Sequence, residues 1–380
     1  MKNKRYWLVC KWWLLHGLYA ALSGLAVMWL TFWYLSGSFS GLPRYLYTYY
    51  AASHFFMTPP SKDQLFTGSL EGMIASLGDA HSQYLDSKAY EDLLMQTSGT
   101  YTGIGIVLGK VDNQIGVVSA LEGQPAAKAG IQSGDQIMAI DGKPTKDMAL
   151  EKASSLIRGE AGTSVSLTIR HEGVDKTYTI TREKITLPTV SGHMLTDHIG
   201  YIRISEFTEQ TGSEFAKTYK DLRQKGMTKL ILDLRNNPGG LVTAAQAVAD
   251  YILPKGPIVT VENRVTGTEV YASQGLGDNL PLVVLINKGS ASASEIIAGA
   301  VQDEKAGTII GTNSYGKGTV QTVLKEFGGT GIKITIAQYR TPANRMIDGQ
   351  GIKPDILVTL PNPPTEDRQL QKAIEVLQEK

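Results

Sequence analysis

Two short apolar runs, each followed by a turn and a helical pattern, constrain the fold most strongly. The first, at 230–234, lies in "KLILDLRNNPGG", and the second, at 281–286, reads "PLVVLI". A strand that is apolar along its whole length is suited to burial on both faces, as in a parallel sheet covered by helices. The helical pattern "VTAAQAVADYIL" lies between the two runs. The chain from 185 to 360 is therefore predicted to form an α/β core.

Composition narrows the class of protein further. The 380 residues are 42% hydrophobic and 19% charged, which is typical of a globular protein long enough for two or three domains. A formal net charge of +1 argues against nucleic acid as the main partner. Cys10 is the only cysteine, so an intramolecular disulfide and a cysteine-based metal cage are excluded. No metal or other cofactor is expected.

An apolar run at 12–35 follows the basic start "MKNKR". As a helix rising about 1.5 Å per residue it would span roughly 36 Å, enough to cross a bilayer with some tilt. Its two ends carry aromatic residues of the kind found at membrane interfaces: Trp12, Trp13, Trp33 and Tyr34. The positive-inside rule places 1–11 in the cytoplasm and the rest of the chain outside. A cleaved signal peptide is the alternative, although no clear A-x-A site follows.

Helical patterns also occupy 36–96 and the C-terminal tail, 361–380. In the first, Ser61 and Gln64 have the spacing of a capping box. Apolar residues then repeat at helical spacing: Leu70, Met73, Ile74 and Leu77. The tail is predicted to be a short linker and a polar helix. Both regions are candidate surfaces for a homodimer.

Short β-like runs separated by glycine turns occupy 97–184. In order, "TGIGIVLG", "PAAKAGIQSGDQIMAIDG" and "ALEKASSLIRG" resemble the carboxylate-binding loop, the helix, turn and strand, and the groove helix of a PDZ domain of the circularly permuted kind found in bacterial proteases. The resemblance implies a partner with a free, apolar C-terminus. The residues implied to bind its carboxylate are Gly103, Ile104, Gly105 and Ile106. A small β domain with ordinary glycine turns is the alternative.

Three serines alternate in "KGSASASEIIAGAVQDE" at 288–304, just past the second apolar run. Ser292 precedes a helical pattern at the carboxyl end of a strand, where open α/β sheets bind ligands and a helix N-terminus favours developing negative charge. Two interpretations are open. Ser292 is a nucleophile, or, with Glu295 three residues later, it caps the helix. All six histidines lie well before this segment, so another base is worth seeking.

Lys317 is flanked by Gly316 and Gly318 in "NSYGKGTVQ". The glycines let the backbone bend closely and direct a long side chain inward. A buried lysine loses its proton readily because burial penalises the charged form, and catalytic lysines titrate at roughly 7–8 instead of about 10.4. Lys317 is therefore predicted to be the general base for Ser292.

Four motifs together resemble the carboxy-terminal processing peptidases, or tail-specific proteases, of the S41 serine peptidase family. They are "LILDLRNNPGG", "GSASASEI", "AGAVQDEKAGTIIGTNSYGKGTVQ" and "GQGIKPDI", and the resemblance runs from about 60 to 360. It implies a protease core of crotonase/ClpP-like ββα units, with the PDZ domain inserted. It also implies that Gln321 orients Lys317, and that Ala293 and either Gly239 or Gly240 form the oxyanion hole. Further residues implied to support the site are Arg235, Glu295, Asp303 and Ser314.

Two segments depart from the family pattern, and one geometric problem remains. "DAHS" at 79–82 and "TPANRMIDG" at 341–349 differ from the usual motifs, which affects packing or substrate contacts. In a straight strand, Lys317 and Gln321 would lie about 13 Å apart. Their contact therefore requires a bend at Gly318.

These observations favour a membrane-anchored serine endopeptidase whose catalytic body lies outside the cytoplasmic membrane of a bacterium. Protein or peptide substrates would be recognised by their free, apolar C-termini. The alternative is a membrane-tethered PDZ adaptor with an inactive protease core. A CoA-dependent enzyme of crotonase type is a third possibility, but it would have no reason to carry a PDZ domain.

Overall fold

A computed structural model of the chain describes residues 2–111, 113–360 and 366–379. The helices are α1 (Lys2–Ser36), α2 (Gly41–Phe55), α3 (Lys62–Ala75), α4 (Ser87–Ser98), α5 (Pro125–Lys128), α6 (Leu150–Ile157), α7 (Thr211–Gln224), α8 (Val242–Ile252), α9 (Ala293–Asp303) and α10 (Arg368–Gln378), with a 3-10 turn at Phe327–Gly329. The strands are β1 (Gln83–Leu85), β2 (Thr100–Gly103), β3 (Ile106–Val111), β4 (Gln114–Ala120), β5 (Gln136–Ile140), β6 (Lys143–Pro144), β7 (Ser164–His171), β8 (Val174–Thr181), β9 (Glu183–Thr186), β10 (Val190–Met194), β11 (Ile199–Ile204), β12 (Lys229–Asp233), β13 (Gly256–Asn263), β14 (Gly267–Ser273), β15 (Leu282–Ile286), β16 (Thr308–Gly311), β17 (Thr319–Lys325), β18 (Gly331–Arg340) and β19 (Ile356–Leu357).

The chain divides into two compact units, and the first, 1–84, is helical. Within α1, Lys11–Leu35 is long and apolar enough to cross a membrane, a property that a signal sequence shares. The predicted capping box opens α3, where Ser61 N–H donates to Gln64 Oε1 over 2.9 Å and Gln64 N–H donates to Ser61 Oγ over 3.1 Å. Of the apolar residues on and just after α3, Met73 and Leu77 are exposed.

The second unit, 85–380, is organised by a six-stranded sheet in the order β10-β11-β12-β15-β16-β19. All neighbours from β11 to β19 pair in parallel, and β10 pairs antiparallel to β11. The two apolar runs form the central strands β12 and β15, and every residue of β15 is buried. The predicted parallel core is therefore confirmed.

Helices cover both faces of this sheet. Leu232 and Val284 pack in one cluster with side chains from α7, α8 and α9. Ile231 and Val283 belong to a second cluster, together with Ala373 and Leu377 of α10. The C-terminal helix, predicted to be polar, packs on the core through a narrow apolar side. Residues 361–365 of the expected linker lie outside the described residues.

Three further sheets complete the unit. Strands β17, β18, β13 and β14 pair antiparallel in that order. Strands β3, β4, β5, β7 and β8 form an antiparallel sheet in that order, β6 pairs with β5, and α5 and α6 pack on a hydrophobic cluster of their own. β2 and β9 pair with each other as a separate two-stranded sheet. The β domain has a hydrophobic core of its own.

Candidate active site

The candidate site lies where parallel strands β12 and β15 end. The turn after β12 and the turn after β15 are bonded to each other: Asn236 N–H donates to Asn287 Oδ1 over 2.9 Å, and Ala291 N–H donates to the Asn237 carbonyl over 3.0 Å. Parallel strands bring their carboxyl ends to one edge of the sheet, and this edge is the usual ligand crevice of α/β folds. The "NNPGG" and "SASAS" motifs are therefore neighbours.

The three alternating serines have different hydrogen-bond partners. Ser290 Oγ donates to the Leu234 carbonyl over 2.8 Å and accepts from Asn287 N–H over 2.9 Å. Ser294 Oγ donates to the Asn237 carbonyl over 3.0 Å. Both flanking serines are wholly buried and attach the serine turn to the turn after β12. The middle one, Ser292, faces a different set of residues.

Ser292 and Glu295 form a capping box at the start of α9, but the backbone of Ser292 is not that of an ordinary helix cap. Its φ of +55° and ψ of −116° lie in the left-handed half of the backbone map, whereas a capping residue is ordinarily extended. A non-glycine residue held there costs on the order of 1–3 kcal/mol and is typical of functional turns. The Glu295 N–H donates to the main-chain oxygen of Ser292 over 2.8 Å. The predicted cap is therefore present, since Ser292 N–H also donates to Glu295 Oε2, and the nucleophile stays a prediction that the strained backbone supports.

Glu295 connects the serine turn to the loop that carries Lys317. Its carboxylate is wholly buried. One oxygen, Oε2, accepts from the N–H groups of Ser292 and Lys317 over 2.8 and 2.9 Å. The other, Oε1, accepts from Ser314 Oγ over 2.6 Å and from Gly316 N–H over 2.7 Å. Burial raises the pKa of Glu295 above its usual range, and these four hydrogen bonds lower it in part.

Glycines fit closely on both sides of Lys317, which is half-buried. Gly316 has φ of +93° and its carbonyl accepts from Gly349 N–H over 2.9 Å. Gly318 N–H donates to Asp348 Oδ1 over 3.0 Å, and a methyl group added at Gly318 would lie 2.4 Å from the Asp348 nitrogen. No side chain but glycine fits there without displacement of the chain. The segment at 341–349, which departs from the family pattern, therefore holds the lysine loop.

Tyr339 is a site residue that the sequence did not reveal. It is buried, its N–H donates to the Gly318 carbonyl over 2.9 Å, and its hydroxyl donates to the Lys317 carbonyl. Burial raises the pKa of Tyr339, a hydrogen bond with Ser292 lowers it, and the nearby Glu295 and Asp348 carboxylates raise it again. The phenol is therefore neutral and acts as a donor. In "AQYRTP" it has the alternating position of an ordinary strand residue, and no sequence signal marks it.

Gln321 lies on β17, whose pairing with β18 shifts register between Val320 and Gln321. Its Nε2 donates to Thr319 Oγ1 over 2.9 Å and to Thr335 Oγ1 over 3.1 Å. β17 begins at Thr319, so Lys317 precedes the strand. The separation expected for a straight strand therefore does not apply to Lys317 and Gln321.

Arg235 supports the end of β12 from the face that carries α10. Its guanidinium donates to Asp233 Oδ2 over 2.6 Å and to Asp367 Oδ1 over 2.7 Å. Two hydrogen bonds to the Gln369 and Asp367 side chains extend this link to the start of α10. Arg235 thus lies beside the chain that leads into "NNPGG" and is not part of the serine and lysine cluster.

Asp303, at the end of α9, forms an ion pair with Arg345 and accepts from Ala343 N–H over 2.8 Å. It fastens the segment at 341–349, which contacts the lysine loop through Asp348. Asp303 therefore acts on the site only through this segment.

The four residues predicted to bind a carboxylate lie at an edge of the β domain. Gly105 has φ of +77°, its carbonyl accepts from Leu121 N–H over 2.9 Å, and the Ile104 carbonyl accepts from Ala126 N–H over 2.9 Å. Gly103 ends β2 and Ile106 begins β3. β3 is the first strand of its sheet, and α6 packs beside it. An edge strand next to a helix is the arrangement to which an extended peptide adds.

Among the residues that the structure describes, no group of three or more histidine, cysteine, aspartate or glutamate side chains could hold a metal ion.

Comparisons with known proteins identify the family to which the chain is similar. The model of peptidase family S41 matches 198–358, and a PDZ-domain model matches 116–171. A carboxy-terminal-processing protease of Bartonella bacilliformis is 43% identical over 317 residues, covering 81% of this chain and 73% of that protein. A carboxyl-terminal-processing protease of Synechocystis is 38% identical over 310 residues, covering 79% and 72%. The solved photosystem II D1 C-terminal processing protease has 31% identity and a TM-score of 0.51, covering 85% and 89%.

These matches define a serine-type peptidase of family S41 that carries a PDZ domain. The chain belongs to the carboxy-terminal processing proteases. The family resemblance seen in the motifs is thereby confirmed.

Proposed function

We propose that this chain is a membrane-anchored endopeptidase in which Ser292 is the nucleophile, Lys317 the general base and Gln321 the residue that orients the lysine. The observation that carries the proposal is the shared carboxylate oxygen of Glu295. Because the N–H groups of Ser292 and Lys317 donate to the same atom, the backbones of the two residues are neighbours. The strained backbone of Ser292 and the glycines around Lys317 support the same assignment.

The reaction would proceed through an acyl-enzyme. Neutral Lys317 accepts the proton of Ser292 as Oγ attacks the peptide carbonyl, and the C–N bond then breaks as Lys317 returns the proton to the leaving amine. Water adds to the acyl-enzyme by the same transfers, and Ser292 is restored. Negative charge on the carbonyl oxygen would be stabilised by Ala293 N–H and by an N–H from the pair Gly239 and Gly240.

The β domain would capture the free C-terminus of a protein substrate. Gly105 gives the loop before β3 a conformation in which backbone N–H groups can face a carboxylate. Ile106 and Leu108 of β3 and Leu150 of α6 are partly buried apolar residues next to the domain core. This composition supports apolar C-terminal residues as ligands, and the order of loop, strands and groove helix supports a permuted PDZ topology.

The remaining assignments follow from the same organisation. We propose an anchor at 12–35, a cytoplasmic segment at 1–11 and an extracytoplasmic body, supported by the apolar helix and by the bacterial relatives. The strand pair β10 and β11 followed by α7 supports a crotonase/ClpP-like ββα plan. The proposed regions of the body are 36–96 (helical), 97–184 (PDZ), 185–360 (protease core) and 361–380 (tail).

Cleavage of unfolded peptides that end in apolar residues tests the reaction. The full chain in detergent is expected to cleave them, and Ser292→Ala and Lys317→Ala are expected to be inactive, with intact mass measurement showing an acyl-enzyme only when Ser292 is present. Ser213→Ala, on the exposed side of α7, is the matched control and should cleave normally. Equal cleavage by Ser292→Ala would contradict the assignment. Peptide binding without cleavage by the wild type would favour the inactive adaptor.

Topology is tested with the single natural cysteine. Cys10 falls in the proposed cytoplasmic segment, and a Val265→Cys substitution adds an exposed thiol in the protease core. In intact cells a membrane-impermeant maleimide is expected to label only the variant. Labelling of the wild-type chain from outside would contradict the proposed orientation.

A further inference from the structure

The antiparallel sheet formed by β17, β18, β13 and β14 has two unlike faces. One face packs on the hydrophobic core through Val320, Ala337, Tyr339 and Val261. Because successive side chains of a strand point to opposite faces, the alternate residues point away from the core, allowing for the register shift before Gln321. They form a polar face that consists of Thr319, Gln321, Thr335, Gln338, Arg340 and Glu262.

The polar face begins beside the lysine loop. Thr319 is the first residue of β17, just after that loop. Gln321 Nε2 donates to Thr319 Oγ1 over 2.9 Å and to Thr335 Oγ1 over 3.1 Å, so these three side chains lie together. Gln338 is the cross-strand partner of Thr319, and Glu262 is the partner of Gln338. A continuous polar row therefore leads from Gln321 across β18 to β13.

A cleft of about 280 Å³ lies at the β13 end of this row. Small-molecule sites in proteins begin at about 300 Å³, so the cleft has room for one side chain of a peptide and part of its main chain. Thr335 lines the cleft and also accepts the hydrogen bond from Gln321, the residue proposed to orient Lys317. The full lining consists of Glu262, Arg264, Thr335, Ile336, Ala337 and Gln338.

Arg264 determines the charge of the cleft. Glu262, the other charged residue of the lining, forms an ion pair with Arg340, whose Nε lies 3.0 Å from Glu262 Oε1. Arg264 is exposed and has no carboxylate partner among the residues that the structure describes. The cleft therefore presents one positive charge that the protein itself does not neutralise.

The turn between β13 and β14 holds Arg264 in place. The N–H groups of Val265 and Thr266 both donate to Asn263 Oδ1, over 2.7 and 3.1 Å. A guanidinium presents its donors in a planar fork that matches the two oxygens of a carboxylate. The ligand that complements this cleft is therefore an aspartate or glutamate side chain.

The spacing of the strands sets how far such a side chain lies from the bond that is cleaved. β17 and β13 are separated by two inter-strand distances of about 4.8 Å, so the cleft lies about 10 Å from Gln321 across the sheet. An extended chain covers about 3.3 Å per residue. A substrate that crosses the polar face from the lysine loop would thus reach the cleft with its third residue, approximately.

We infer that the cleft beside Arg264 is a substrate subsite for an acidic side chain about three residues from the cleaved bond, and that Arg264 is its specificity-determining residue. The inference rests on the proposed function, because it takes the lysine loop as the place where the bond is cleaved. It adds a second element of recognition, separate from capture of the C-terminus by the β domain.

Matched peptides test the subsite. All share one free apolar C-terminus, and glutamate or glutamine is placed in turn at each of four positions on either side of the cleaved bond. At one position, about three residues from that bond, kcat/KM of the wild type should be about 5-fold higher for glutamate, which corresponds to the upper end of what an exposed ion pair contributes. Arg264→Gln should reduce this ratio to about one. Lys225→Gln, which removes a charge from the exposed end of α7, is the control and should keep it.

Charge reversal provides the second variant. Arg264→Glu should prefer lysine to glutamine at the same position and should disfavour glutamate, because the sign of the cleft is then reversed. Both preferences should weaken at about 1 M salt, where the Debye length falls to about 3 Å. The same glutamate-to-glutamine ratio in the wild type, Arg264→Gln and Arg264→Glu would overturn the inference, as would a ratio of one at every position in the wild type.

Peptides with a C-terminal amide distinguish the two possible sources of a carboxylate. If Arg264 bound the C-terminus of the substrate instead of a side chain, then amidation, and not glutamine, would remove the effect of Arg264→Gln. That result would overturn the assignment of an acidic side chain.

Binding to the Ser292→Ala protein separates the subsite from the reaction. Fluorescence anisotropy should show the same preference for glutamate without cleavage, and Arg264→Gln in that background should remove it. Cleavage that does not require Ser292, together with this difference in binding, would contradict the proposed function alone. Ser292-dependent cleavage without any difference in binding would contradict the subsite alone.

Discussion

Ser292 and Lys317 donate their main-chain N–H groups to the same oxygen of the Glu295 carboxylate, over 2.8 and 2.9 Å. One buried acceptor therefore binds both the turn that carries the proposed nucleophile and the loop that carries the proposed base. Neither side chain takes part in this arrangement. The relative position of the two proposed catalytic residues therefore depends on the charge state of a carboxylate that takes no part in the proposed reaction.

The Glu295 carboxylate predicts an acid limit of activity above the usual range of glutamate. Its pKa is raised mainly by burial, so the folded chain holds the proton more tightly than the unfolded chain. Its contribution to the free energy of unfolding is therefore largest below the unfolded pKa, and it falls as the pH rises toward the folded pKa. Activity has the opposite dependence, because only the ionised carboxylate accepts all four hydrogen bonds.

Ser314→Ala is expected to move this acid limit to higher pH, because the hydrogen bond from Ser314 Oγ lowers the pKa of Glu295. Initial cleavage rates measured across pH for wild type, Ser314→Ala and the control Ser213→Ala give the comparison. Glu295→Gln, which does not titrate, should lose this acid limb altogether. An acid limb at the same pH in all four proteins would rule out Glu295 as its source.

Tyr339→Phe is expected to reduce kcat by about 10-fold or more with little change in KM. The substitution keeps the ring in the core but removes the donor to the Lys317 carbonyl, and an unpaired buried acceptor costs about 1–3 kcal/mol. The rate of labelling of Ser292 by a small fluorophosphonate reports the effect without substrate binding. Tyr271→Phe, on β14, provides the control. A lower melting temperature with an unchanged labelling rate would show that the hydroxyl only stabilises the fold.

Gly318→Ala is expected to abolish most activity. The added methyl group would lie 2.4 Å from the Asp348 nitrogen, and relief of that overlap must move the loop that carries Lys317. Overpacking of this kind costs about 1–3 kcal/mol, so the protein should still fold. Gly256→Ala is the matched control, because a methyl group there meets nothing within 4 Å. Wild-type cleavage by folded Gly318→Ala would show that the lysine loop tolerates displacement.

The strands and helices of the core could be predicted from the sequence because buried positions are occupied by apolar residues. β15 is apolar throughout and β12 is apolar between its first and last residues, and the glycines at 316 and 318 indicated a close approach that the structure contains. Tyr339 was missed for a physical reason. A buried phenol whose partner lies far away in sequence leaves no periodic pattern, since its contacts depend on which carbonyl it meets after folding.

The three alternating serines also show what sequence spacing leaves undetermined. Spacing alone left Ser292 as either a cap or a nucleophile. The structure contains the capping box with Glu295, and the backbone conformation of Ser292 and the partners of Ser290 and Ser294 distinguish it from the other two serines. The apolar side of α10 was likewise judged by overall polarity, although Ala373 and Leu377 lie on one face and are buried.

Gly105→Asn is expected to weaken capture of peptide C-termini while leaving the chemical step intact. Asparagine tolerates the φ of +77° at this position, but a Cβ there would lie 2.3 Å from Gln124 Cβ, so the loop before β3 must shift. Gly173→Asn in the β7–β8 turn is the matched control, since its φ of +83° is similar and its surroundings are open. Fluorescence anisotropy with an apolar-ended peptide should show binding by wild type and by Gly173→Asn. The affinity of Gly105→Asn should be lower by at least about 10-fold, which is the change that 1.4 kcal/mol produces.

The same peptide with a C-terminal amide should bind weakly to all three proteins, because the loop N–H groups then lack a carboxylate. Equal binding of the acid and the amide by wild type would show that the β domain does not recognise a free C-terminus. Unchanged fluorophosphonate labelling of Gly105→Asn would show that its loss of peptide affinity does not come from damage around Ser292.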